Sequence, residues 1–81
     1  MALPENEVLA HLADIVSEET GIDTAEIQLE KSFTDDLDID SLSMMTIVTL
    51  AEEKFDVRIP DEEVKNLVTV GDAVTFIANQ G

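Results

Sequence analysis

The stretch Asp38-Ile39-Asp40-Ser41-Leu42 decides how this chain is read, because it joins a turn-rich acidic loop to an amphipathic run. On a wheel of about 100° per residue, Met44, Ile47, Val48, Ala51 and Phe55 share one face of that run. Ser43, Thr46, Glu53 and Lys54 lie away from it. The pattern predicts a helix from about Ser41 to Phe55. Ser41 then stands at a helix N-terminus, where unpaired backbone N–H groups and the positive end of the helix dipole favour a phosphate. A serine in that place can also be nothing more than an N-cap. The tripeptide Asp40-Ser41-Leu42 alone favours the plainer role, and the remainder of the chain decides against it.

Upstream, Val8, Leu12, Ile15 and Val16 recur at helical spacing, with Leu9 beside them. They predict a first helix over residues 5–19. Pro4 suits its start, Glu5 and Glu7 its first turn, and Gly21 its C-terminal cap. Residues 20–40 form a long connection in which residues 23–27 can make one helical turn. Ile22, Ile27, Leu29, Phe33, Leu37 and Ile39 are expected to pin this connection to a core, since a loop of such length is otherwise unusual in a small domain.

Downstream, Val57-Arg58-Ile59 reads as extended and is stopped by Pro60. Residues 61–66 form a short helix with acids in its first turn. Thr69 caps a last helix, with Asp72 three residues on as a near capping box. Val70, Ala73, Val74, Phe76 and Ile77 supply its apolar residues. The expectation is an all-α fold: a small four-helix bundle of three main helices and one short helix, with a long first loop. A single domain over residues 1–81 accounts for the length.

The chain carries 19 acidic and 4 basic residues, a formal net charge of −15. Such a surface repels nucleic acid and anionic lipid, and attracts proteins with Lys/Arg patches. Acidic residues interrupt every apolar stretch, so no membrane span or signal segment is expected. With no cysteine there are no disulfides and no thiolate metal sites, and a cytoplasmic setting is the default.

Two kinds of site are excluded by spacing. Asp36, Asp38 and Asp40 invite a calcium-loop reading, but counting from Asp36 the glycine and glutamate positions of an EF-hand hold Ser41 and Ile47. No metal site is expected. A Ser-His-Asp arrangement needs a histidine beside the nucleophile. The only histidine, His11, flanks the first helix's buried stripe and reads as a partly exposed helix residue. There is no glycine-rich phosphate loop, so no enzymatic activity is expected.

Five motifs stand in order: Phe33 in an acidic loop, Asp40-Ser41-Leu42 opening a helix, Glu52-Glu53-Lys54-Phe55 closing it, Ile59-Pro60-Asp61-Glu62-Glu63, and Thr69-Val70-Gly71-Asp72-Ala73. Together they resemble the acyl carrier proteins over nearly the whole chain. The run from Phe33 to Met44 looks most like carriers of discrete (type II) fatty acid synthases from actinobacteria. The resemblance implies a covalent 4′-phosphopantetheine on Ser41, donated by coenzyme A, whose thiol holds growing acyl chains as thioesters for separate enzymes. It implies as partners a phosphopantetheinyl transferase (holo-carrier synthase), malonyl transacylase, ketosynthases, ketoreductase, dehydratase and enoyl reductase, met by a monomer.

The positions matching the family's acyl-chain pocket are Phe33, Ala51, Ile59, Val64, Leu67, Ala73 and Phe76, all of which also read as ordinary core. Many fatty acid carriers have acids early in the second helix, where this chain has Ser43 and Thr46. Acidic recognition then leans on Asp36, Asp38, Asp40, Glu52 and Glu53. Leu42 falls on the polar side of the wheel and Met45 at its margin, so both are expected to be partner-docking anchors within that rim. The departure keeps a polyketide carrier open. A small acidic interaction or inhibitor protein without a prosthetic group is the alternative from another class.

Overall fold

Pro4, at φ −62° and ψ 130°, leads into the first helix, α1 (Glu5–Thr20). Glu5 and Glu7 occupy its first turn, and Val8, Leu12, Ala13, Ile15 and Val16 are buried along one stripe. It ends at Gly21, whose φ of 83° is left-handed and whose N–H donates to the Ser17 carbonyl at 2.7 Å. A side chain there would meet nothing within 4 Å, so glycine is required by the backbone alone.

The computed structural model describes residues 4–80; residues 1–3 and 81, the ends of the domain expected over 1–81, lie outside the described residues. Three further helices follow α1: α2 (Ser41–Phe55), α3 (Asp61–Val64) and α4 (Val70–Gln80). A single 3₁₀ turn, Thr24–Glu26, interrupts the long first connection, with the Asp23 carboxylate accepting the Ala25 N–H at 3.2 Å. Among the described residues there is no strand, only an isolated antiparallel bridge between Ser32 and Thr69. The fold is the expected all-α bundle, with α1 packed against both α2 and α4.

The long loop is held at both backbone and side-chain level. Phe33 donates to the Val68 carbonyl (3.0 Å), Val70 to Lys31 (2.9 Å) and Gly71 to Leu29 (2.9 Å). These bonds fasten the loop to the junction between α3 and α4. Ile27, Phe33, Leu37 and Ile39 are buried and Ile22 is half-buried. Leu29 departs from expectation: it is 46% exposed, and contributes its carbonyl rather than its side chain. A Cβ on Gly71 would come within 3.0 Å of that carbonyl oxygen, so this glycine permits the close approach.

The short helix stops at Val64, not at residue 66. From there the amides of Asn66 and Leu67 bond three residues back, to Glu63 (2.9 Å) and Val64 (3.1 Å), so the chain tightens into turns. The capping box at α4 is reciprocal: Asp72 N–H donates to the Thr69 hydroxyl and Thr69 N–H to the Asp72 carboxylate, both at 3.1 Å.

Candidate functional site

Ser41 is the first residue of α2, and Asp40 is its N-cap, with φ −84° and ψ 176°. The Asp40 carboxylate accepts the Ser43 N–H at 2.8 Å. The backbone N–H of Ser43, then its hydroxyl, hold the Asp40 carboxyl below its ordinary value, against a small opposing effect of desolvation. The plainer reading of Ser41 as an N-cap is therefore overturned: its neighbour takes that role. Ser41 is exposed, and its hydroxyl makes no hydrogen bond among the described residues. The side chain is left open to a reagent approaching from solvent.

Beside Ser41 lies an apolar cleft of about 320 Å³. Met44 and Met45 of α2 form one wall, Phe33 and Thr34 of the loop a second, and Val64, Lys65, Leu67 and Val68 a third. Of the expected acyl-chain residues, Phe33, Val64 and Leu67 thus meet at the serine. Ala51, Ile59 and Ala73 do not border the cleft; they are buried in the closed core, and Phe76 is half-buried. Met44, expected only in the core, also lines the cleft, one turn on from Ser41. A larger groove of about 420 Å³ lies between α1 and α2, lined by His11, Asp14, Glu18, Leu50, Glu53 and Lys54 among others. Ser41 does not border it. His11 belongs to that groove, its ring edge-on to Phe55 at 6.0 Å, so serine and histidine face different clefts.

The expected docking residues divide into two kinds. Leu42 is 80% exposed and Met45 42%, as their position off the core face requires. Asp38, with a left-handed φ of 55°, and Glu53 are exposed. Asp36 is exposed too, but its carboxylate accepts the Ser32 N–H at 2.8 Å. Glu52 is half-buried and accepts the Ile59 N–H at 2.7 Å. Three of the five acids, Asp36, Asp40 and Glu52, therefore also stabilise local backbone. For Glu52 the sequence signalled only its half-burial: it lies four residues after Val48 and three before Phe55, on the flank of the core stripe. The Thr46 hydroxyl donates to the Leu42 carbonyl at 3.2 Å, and Ser43 serves the cap.

Comparison with known proteins identifies the family. The family model described as a phosphopantetheine attachment site matches residues 10–77. An acyl carrier protein from Beutenbergia cavernae is 76% identical over 78 residues, covering 96% of this chain and 95% of that one. One from Acidothermus cellulolyticus is 66% identical over 79 residues, covering 98% and 94%. The solved acyl carrier protein from Enterococcus faecalis is 33% identical and superposes with a TM-score of 0.81, covering 98% of this chain and 100% of that one. Neither a polyketide carrier nor an acidic inhibitor is favoured by these matches. The chain belongs to the acyl carrier proteins, which are not catalysts but bear 4′-phosphopantetheine and carry acyl groups through fatty acid synthesis.

Proposed function

We propose that Ser41 is the residue that bears the 4′-phosphopantetheine. The observation that carries this is the exposed, unbonded Ser41 hydroxyl on the rim of an apolar cleft, with Asp40 already serving as the cap. The residues fit the group. Ser41 supplies the oxygen that becomes the phosphoester, replacing the 3′,5′-ADP portion of coenzyme A. The Ser41 proton leaves to the transferase. When bound, the arm supplies the thiol that this cysteine-free chain lacks, and so the site of thioester formation.

Phe33, Met44, Val64 and Leu67 offer the first apolar shelter for a cargo chain. Ala51, Ile59 and Ala73, closed in the core, and half-buried Phe76, packed against it, continue it only if the helices part. Leu42 and Met45 are the apolar anchors for partners, with Asp38 and Glu53 as the freest rim charges, Asp40 adjoining the serine in sequence, and Asp36 in the loop before them, on the groove that Lys31 lines. The partners are enzymes of fatty acid synthesis. We assign them as the phosphopantetheinyl transferase, malonyl transacylase, ketosynthases, ketoreductase, dehydratase and enoyl reductase, met by a monomer in the cytoplasm. Among the described residues no helix is long and apolar enough to cross a membrane.

Incubation with coenzyme A and a promiscuous transferase, followed by intact and peptide mass measurement, tests the attachment. One arm is expected, on the peptide containing Ser41. Ser41→Ala is expected to accept none while keeping its stability within about 0.5 kcal/mol, because Asp40 provides the cap. Modification at Ser43 or Ser32 would refute the assignment. For docking, Leu42→Ala is expected to weaken transferase binding with an unchanged Tm. Early unfolding with normal binding would make Leu42 a structural residue.

A further inference from the structure

The N-terminus of α2 is an acidic place for a phosphodiester. Asp38 and Asp40 are exposed on its approach, and the Asp40 carboxylate already occupies the Ser43 N–H. That hydrogen bond removes one donor from the helix end and adds a negative charge beside it. A phosphodiester on Ser41 is thus repelled by its neighbours unless a cation stands near.

The chain has only four basic residues. Lys31 lines a groove under the long loop with Ile22 and Asp36. Lys54 lines the groove between α1 and α2. Arg58 lies at the far end of α2, its carbonyl accepting from the Gln80 side chain at 3.0 Å. Lys65 alone borders the cleft that Ser41 borders. It follows α3 directly, at φ −62°, and is exposed. The geometry points to Lys65 as the counter-charge for the phosphodiester, a positioning residue that holds the root of the arm over the cleft. This rests on the assignment of Ser41 as the attachment residue. Lys65 lines the cleft together with Val64 and Leu67, and a lysine can lay its methylene stem on such an apolar wall while its ammonium stays hydrated. The arm is thereby biased to lie across the cleft, toward Met44 and Phe33, instead of away from it.

The test uses apo and holo forms of the full chain, with the arm's position first established by peptide mass. Melting temperature and the phosphorus resonance of the holo form are then compared for the native chain, Lys65→Gln and Lys65→Arg. In low salt, Lys65→Gln is expected to lower the holo-minus-apo Tm difference by about 1–5 °C and to move the phosphorus resonance. Lys65→Arg is expected to retain both, and about 0.5 M salt to erase the difference between variants. An unchanged resonance and Tm difference in Lys65→Gln, with the arm on Ser41, would overturn the role of Lys65 alone. So would an equal loss in apo and holo forms, which marks a residue that merely supports the turn after α3. An arm found on another serine would overturn the attachment assignment and this inference with it.

Discussion

The Glu52 carboxylate accepts the backbone N–H of Ile59 at 2.7 Å, bridging the end of α2 to the extended segment before α3. Ile59 is buried, so the bond fixes how the connection re-enters the core. A hydrogen bond to a charged acceptor is worth about 1.5–3 kcal/mol. Glu52→Ala is therefore expected to destabilise by about that much in a denaturant titration, with faster hydrogen exchange at the Ile59 amide. Glu53→Lys, one residue on and exposed, is expected to stay within about 0.5 kcal/mol and instead to slow partner association.

Asp40 makes the α2 cap pH-sensitive in a defined direction. Its carboxyl is held below the ordinary 3.8 by the Ser43 N–H and hydroxyl. A depressed folded-state value means the carboxylate's contribution is fully present above the unfolded value and is lost as pH falls through the folded one. Acid scans of Tm are expected to show this loss only below pH 3.8. Asp40→Asn keeps a capping oxygen and is expected to flatten that part of the profile. Asp40→Ala is expected to lower Tm at neutral pH as well. A profile for Asp40→Asn that matches the native chain would show that Asp40 does not contribute.

Gly71 tests the fastening of the long loop. An added methyl would meet the Leu29 carbonyl oxygen at 3.0 Å, the same oxygen that accepts the Gly71 N–H at 2.9 Å. Backbone on both sides leaves little room to relax. Overpacking costs about 1–3 kcal/mol, and the first turn of a helix returns only part of the gain of about 1 kcal/mol expected for alanine over glycine. Gly71→Ala is expected to lower Tm and to raise exchange at the Phe33 and Val70 amides. A rise in Tm would show that the loop gives way freely.

The net charge of −15 predicts that screening tightens the bundle. Added salt or Mg²⁺ near neutral pH is expected to raise Tm, since repulsion between exposed acids weakens as the screening length shrinks. A flat or falling response would show that self-repulsion does not limit stability.

The helices, their caps and the buried stripes were legible in the sequence, because each depends on residues a few positions apart. Periodicity located α1, α2 and α4; Gly21 marked the end of α1, and Thr69 with Asp72 marked the start of α4. The same wheel placed Leu42 and Met45 off the core. Ordered motifs around Ser41 gave the family. Tertiary structure decided what depends on distant chain segments meeting. Leu29 turned outward because its carbonyl, not its side chain, meets Gly71. Glu52 became a brace because the segment after α2 brings the Ile59 N–H to it. The cap of α2 is local, yet only the structure assigned it: Asp40 takes the Ser43 N–H and leaves Ser41 free. Only three of the seven pocket residues implied by the family resemblance reach the cleft beside the serine, since matched positions tell which residues are core but not how closely the opposing walls close. Lys65 joins that cleft because the turn after α3 meets the start of α2 there, a meeting of segments that no local pattern encodes.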